Sequence, residues 1–428
     1  MKKGLLFLAV FMLNLPIFAN QDLLQLGHDY YYGQNGKEQS YIEAVKWYRY
    51  AAENGNAKAQ NYLGNCYYNG DGVTQSYTEA VKWYRYGAEG GNALAQCNLG
   101  NCYYHGIGVT QSYTEAVKWY YYAAENGNAK AQCNLGTCYY NGIGVTQSYI
   151  EAVKWYRYGA EGDNALAQNY LGDCYYNGIG VTQSYIEAVK WYRKSAEGNN
   201  SDSQYKLAKC YDKGEGVSLD YAEAAKWYQK AAEGGHLEAQ YEIAYCYSYA
   251  WGVTEDYKLA VAWFQTAADR GHVDAQYELA KCYDNGWGVT KDWETAFNWF
   301  LVAANQGHMK AQYSVGYSYE YGEGTSIDYY EAAKWYNLAA QQGHAKSQYR
   351  LGMLYYLGMG VATDFDMAFK LFTDAAQQGN AAAMNQLGDC YYYGQGTSVN
   401  TATAIEWYRK AADEGNEEAI KKLNELEN

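Results

Sequence analysis

Three sets of residues in this chain carry reactive chemistry on paper: a serine–lysine pair, ten cysteines and six histidines. Ser203 and Lys206, in the stretch Ser-Gln-Tyr-Lys, have the spacing at which a lysine one helical turn away activates a serine nucleophile against a β-lactam. The Ser-Asp-Asn and Lys-Thr-Gly segments that complete such a site do not occur. Elsewhere the same stretch reads Ala-Gln-Asn-Tyr or Ala-Gln-Tyr-Glu, so the pair is one variant of a recurring pattern. Cys66, Cys102, Cys138, Cys174, Cys210, Cys246, Cys282 and Cys390 recur at multiples of 36 residues, and Cys97 and Cys133 precede two of them by five. Helices stacked roughly 8–10 Å apart hold such a column beyond the roughly 7 Å Cα limit for a disulfide, so the thiols are expected to be unpaired core residues. His236, His272, His308 and His344 stand where other copies have Asn56, Asn92, Asn128 and Asn164, at the expected start of a helix. That is a capping position, and rungs so far apart cannot share a metal ion. No catalytic residue, metal ligand, disulfide or cofactor site is therefore assigned. The Gly-x-Gly pairs, such as Gly142 and Gly144, recur in nearly every loop and read as turns, not as a phosphate cradle.

The elements that would position such side chains follow one period. Trp47, Trp83, Trp119, Trp155, Trp191, Trp227, Trp263, Trp299 and Trp335 are each 36 residues apart, with Leu371 and Trp407 in the next two places. Eleven units therefore run from residue 20 to 416, and a period of this length signals stacked units that bury their apolar faces on one another. Within the unit 57–92, Ala59, Leu63, Cys66 and Tyr67 have the spacing of one helix face, Gly70 and Gly72 break the helix, and Ser76 with Glu79 forms a capping box for a second helix. Tyr77, Ala80, Trp83, Tyr84 and Ala88 are the expected buried stripe of that second helix. Asp220, Asp256, Asp292, Asp328 and Asp364 take the cap in later units. The glutamines Gln60, Gln96, Gln132 and their successors are expected to form a hydrogen-bond ladder between adjacent first helices. Residues 417–428 read as a polar capping helix.

These marks, "LGNCYYNGDGV…EAVKWYRYGAEGGN" and its ten counterparts, resemble the Sel-one-like repeat family, relatives of the tetratricopeptide repeat. The resemblance implies an all-α, right-handed α-solenoid superhelix of about eleven 36-residue helix-turn-helix repeats, with members that usually bind a protein or peptide in a concave groove lined by first helices. It also implies, for bacterial members, export and roles in envelope function, signalling or host contact. The cysteine-rich secreted branch of the family, associated with penicillin binding, clamps its helices with disulfides; the cysteine pattern here departs from it.

Composition supports an exported, water-soluble scaffold. Lys2, Lys3, the apolar stretch to Ile17 and the small residue Ala19 read as a signal peptide over residues 1–19, placing the mature chain in the periplasm or outside the cell. Cleavage would leave a formal charge of −16, which disfavours nucleic acid and anionic lipid. No membrane insertion is expected after cleavage, and the chain reads as a monomer. Positions that vary among units mark the face free to bind. In the unit 57–92 these are Lys58, Tyr62, Asn65 and Asn69, one stripe of the first helix. Along the array this stripe is Asn-rich early and Tyr/Lys-rich later, which makes Lys209, Tyr245, Tyr249, Lys281, Tyr317 and Tyr321 the groove candidates. Units 57–92 and 129–164 differ at only six of 36 places, as expected of a recently copied brick, so a tailored site belongs in the later half. The alternatives are a cell-envelope hydrolase acting on β-lactam or peptidoglycan, and a glycan-binding protein that stacks sugars on the same tyrosines.

Overall fold

The computed structural model describes residues 20–427; residues 1–19, where the sequence reading expects a signal peptide, lie outside them. The described residues form 23 helices and no strand. All but the last have 13 residues, because the same stop and start signals bracket each one. First helices such as Ala57–Asn69 end on a glycine in the left-handed region, Gly70 at φ +87°, whose amide donates to Cys66 O. Two residues on, the Cα of Gly72 lies so close to the preceding second helix that a Cβ would stand 2.3 Å from Tyr41 O, a contact only glycine permits. Second helices such as Tyr77–Glu89 begin at a serine whose hydroxyl accepts from the amide three residues on, as Ser76 does from Glu79. The five aspartates do the same; Asp220, Asp256, Asp292 and Asp328 each accept from two amides.

The glutamate half of the expected capping box is not made. Ser76 N donates instead to Tyr67 O at 2.9 Å, which leaves Glu79 nothing to reach back for, and its carboxylate pairs with Lys82 at 3.3 Å. The second-helix stripe also needs two corrections, the first being that Trp83 is only half-buried, packed against the cluster around Tyr48 and Leu63. Ala80, Tyr84 and Ala88 are buried together with Val81, but Tyr77 is exposed and stands edge-on to Tyr68, because the first residue of the helix sits over the turn and not over the core. Each unit's core is small residues around one ring: Tyr84 lies flat on Gly64, where a Cβ would be 2.6 Å from the ring.

The chain divides into two compact units, Met1–Leu219 and Asp220–Asn428. In each, consecutive helices pack on one another, first helix on second and second on the next first. The glutamine ladder exists but runs elsewhere than expected. Gln96 Nε2 donates to Ala88 O, at the end of the preceding second helix, and its Oε1 accepts from Asn126, the C-cap of its own unit's second helix. The side chain therefore joins successive second helices at their C-terminal ends, where the orphan carbonyls are. Gln276, Gln312 and Gln348 repeat this with Gln306, Gln342 and Gln378.

Candidate functional site

The first-helix stripe has different duties in the two units. In four repeats of the N-terminal unit its third position accepts a hydrogen bond from the ring beneath it. Tyr84 Oη donates to Asn65 Oδ1 at 2.9 Å, Tyr120 to Asn101 at 2.8 Å and Tyr192 to Asp173 at 2.7 Å, while Tyr156 and Thr137 share a bond of 3.2 Å. Asn134 adds a bond to Asn101, and Lys206 one to Asp173. These residues are stitched into the fold and are not free to turn toward a ligand.

In the C-terminal unit the third position becomes Tyr245 and Lys281, and the rings beneath become Phe264 and Phe300, which need no acceptor. Released from that bond, the stripe builds aromatic clusters. The Tyr245 and Tyr249 centroids are 4.4 Å apart, and Trp251 lies 5.2 and 6.1 Å from them. Tyr249 and Trp251 are 45% and 49% exposed, so half of each ring is presented outward. Between them Ala250 closes the helix at φ +56°, where every other first helix of this type uses glycine. A left-handed alanine costs roughly 1–2 kcal/mol, strain of the kind that gathers at binding sites. Lys281 stands next along, its Nζ 2.7 Å from Glu278 and over the rings of Tyr277 and Trp287. Burial alone would lower its pKa; the bond to Glu278, the Glu278 charge and the Tyr249 and Tyr277 hydroxyls together outweigh that and raise it.

Tyr317 and Tyr321 form a second cluster, centroids 4.5 Å apart, roofed by the Arg350 guanidinium at 5.9 and 5.4 Å. Arg350 is fixed by Glu320 at 3.2 Å and by the Tyr321 hydroxyl. The beneath-ring here is Tyr336, which keeps its hydroxyl by donating to Glu320 at 2.6 Å, one helical turn along from Tyr317. Of the six sequence candidates, Tyr245, Tyr249 and Lys281 thus adjoin one another and Tyr317 and Tyr321 make a neighbouring pair. Lys209 belongs to the other unit, lining a cavity of about 260 Å³ with Lys206, Lys213 and Tyr176. Trp251, Trp287 and Arg350 were missed. The two tryptophans sit in the turn just past the helix, where earlier copies have Asp71 or Ile107; that variation was the available signal.

The reactive residues are otherwise engaged. Ser203 is fully buried, its hydroxyl donating to Asn169 and shared with Ser195, and Lys206 is held by Asp173 and Asn169. A substrate carbonyl has no approach to that oxygen. All ten cysteines are buried and outside any disulfide, and burial pushes Cys66, Cys102 and Cys282 up to about 12, where a thiolate is scarce. Each of the four ladder histidines caps a helix: the Ala239, Ala275, Ala311 and Ser347 amides donate to Nδ1 of His236, His272, His308 and His344. Among the described residues no group of three or more His, Cys, Asp or Glu is placed to hold a metal ion, and no helix is long and apolar enough to cross a membrane.

Comparison with known proteins agrees with the repeat. The pattern of the Sel1 repeat matches eleven consecutive segments, from 23–56 and 57–92 through to 381–416. The chain is similar to c5321, described as a protective antigen present in uropathogenic Escherichia coli strains and displaying an SLR fold, at 35% identity and a TM-score of 0.86, covering 96% of this chain and 88% of that one. It is also similar to a Sel1 repeat protein from Oxalobacter formigenes, at 33% identity and a TM-score of 0.57, covering 72% and 89% of the respective chains. No curated protein matches.

Proposed function

This chain belongs to the Sel1 repeat family, and on that premise we propose that it is an exported, non-catalytic scaffold that holds a protein or peptide on the first-helix face of its C-terminal unit. The observation that carries the reading is the exchange beneath the stripe: where Tyr becomes Phe264 and Phe300, the residues above cease to be structural acceptors and become a half-buried ring, Tyr245, that backs the exposed rings of Tyr249 and Trp251, and a held cation, Lys281. Half-exposed tyrosine and tryptophan on a rigid helix give contact area at small entropic cost, the usual make-up of a binding hot spot. Burial of the Ser203 hydroxyl supports the non-catalytic part. Export is supported by the Lys2–Ala19 sequence and by likeness to an antigen of uropathogenic strains. N-terminal sequencing of the protein from its own cell tests it: a chain starting at Asn20 agrees, and one starting at Met1 refutes it.

Affinity capture with cross-linking from the producing cell's envelope and medium tests the binding face. Tyr245, Tyr249, Tyr317 and Tyr321 changed together to Ala should lower recovery of the partner at least tenfold while circular dichroism stays unchanged. Equal recovery by wild type and variant would move the site off this face.

A further inference from the structure

The repeat brings the penultimate residue of one first helix beside a residue 39 places on, in the turn after the next first helix. In three places that pair is a matched donor and acceptor. Tyr31 Oη donates to Asp71 at 2.8 Å, Tyr176 to Glu215 at 2.6 Å and Tyr356 to Gln395 at 2.6 Å, the first with an offset of 40 because the opening unit is one residue longer there. At Asp284 and Glu323 the same two positions are both carboxylates.

At this place a cavity of about 240 Å³ within the C-terminal unit is walled by both carboxylates, Asp284 and Glu323, and by Trp293, Phe297, Phe300 and Tyr317. Neither carboxylate is stabilised by a hydrogen bond; burial raises both, and the charge of Asp284 raises Glu323 further. Lys291 acts on both from a distance, its Nζ resting over the Trp293 ring at 4.6 Å without closing an ion pair with either. Two like charges drawn partly out of water, with the donor that other repeats supply taken away, are a deficit that a cation fills. The aromatic walls suit the methylene stem of such a group and attract its charge through their faces.

We propose that this cavity receives a lysine or arginine side chain of the bound partner, Asp284 and Glu323 sharing its charge while Trp293, Phe297 and Phe300 hold its stem. The proposal rests on the scaffold reading, and Tyr317, which both wall the cavity and belong to the aromatic face, makes the two continuous.

The test uses the full mature chain labelled with 5-fluorotryptophan, the Trp293 resonance being assigned with Trp293→Phe. The probes are acetyl-Gly-Gly-Lys-Gly-Gly-amide, its arginine and norleucine counterparts, and pentylammonium. The lysine or arginine peptide should shift the Trp293 signal at concentrations at least tenfold below those at which the norleucine peptide does. Asp284→Tyr, which rebuilds the Tyr176–Glu215 type of pair, removes one carboxylate and gives the other its donor, should abolish the shift without lowering Tm; Glu323→Gln should weaken it at least fivefold. Equal response to norleucine, response surviving Asp284→Tyr, or none in the wild type overturns the proposal, and response to pentylammonium alone overturns its assignment to a peptide side chain. A silent cavity alongside tyrosine-dependent capture of a partner defeats this inference alone. A cationic response without any captured protein defeats the scaffold reading.

Discussion

In the repeats 57–92, 93–128, 129–164 and 165–200 a buried tyrosine hydroxyl meets a polar residue of its own first helix; in the repeats holding Phe264 and Phe300 the ring remains and the hydroxyl is gone. Ring volume is what the core demands in both units, since the ring lies on the small residue, Gly64 or Ala244, of the facing helix. In these repeats the hydroxyl follows the neighbour, because a buried hydroxyl costs stability where nothing accepts from it. The difference teaches that the first unit spends its first-helix polarity on holding itself together, while the second frees that face. The far end returns to the first pattern. Tyr408 donates to Asp389, and Lys422 of the helix Glu417–Glu427 bonds Asp389 and Asn385, as Lys206 bonds Asp173 and Asn169. The last helix thus stands where the first helix of a twelfth repeat would.

The comparison breaks most visibly if the two solutions are exchanged. Phe264→Tyr inserts a hydroxyl beneath Tyr245, where no carboxamide or carboxylate occupies the third position, and should cost about 1–3 kcal/mol. Adding Tyr245→Asn should recover most of it. The mirror experiment, Asn101→Tyr, strands the Tyr120 hydroxyl and should cost about 1–2 kcal/mol, relieved by Tyr120→Phe. Because each repeat contacts only its neighbours, both cycles are best read in amide exchange of the altered repeat; additive losses would show that the pairs are not coupled.

Ala250→Gly should stabilise its repeat by about 1 kcal/mol by relieving the left-handed alanine. If Ala250 presents Tyr249 and Trp251 rigidly, partner recovery falls even as Tm rises. A smaller contrast comes from acid. Asn56, Asn92, Asn128 and Asn164 cap first helices in one unit without titrating, whereas His308 and His344 cap them in the other with pKa values lowered by burial. The folded state therefore binds fewer protons than the unfolded one. Stability is intact above the ordinary histidine value near 6.5 and declines as pH falls through the window below it, toward the depressed folded values. Exchange at pH 7 and pH 5, corrected for intrinsic rates, should show loosening around His308 and His344 that His308→Asn and His344→Asn remove, and none around Asn92. Smallest of all, Lys82→Ala should change stability by no more than about 0.5 kcal/mol, since its pair with Glu79 is exposed. A larger loss would mean that surface charge, and not the buried hydroxyls, separates the units.

The tryptophan spacing was legible as a fixed 36-residue period, and the Ser and Asp caps, the His caps and the glycine stops because each depends on residues within one turn of helix. Tyr245, Tyr249, Tyr317 and Tyr321 were legible as a variable stripe, since variation against a fixed period needs no structure to see. The aromatic partners were not: Trp251 comes from a turn and Arg350 from the next unit's first helix, so neither shares the stripe's spacing. The capping-box glutamate and the glutamine ladder were misread because a nearer or better-placed partner in another helix took the bond the local pattern offered, and Tyr77 because the first residue of its helix sits over the turn.

By itself, then, the sequence determined the helices, their ends and the repeat, all set by backbone capping and side-chain periodicity over three or four residues. Which partner each polar side chain takes was decided only in the tertiary structure. Those partners lie 19, 30 or 39 residues away, as in Tyr84 with Asn65, Gln96 with Asn126 and Tyr176 with Glu215. Packing sets such distances to within an ångström, and a hydrogen bond is made or lost over that range.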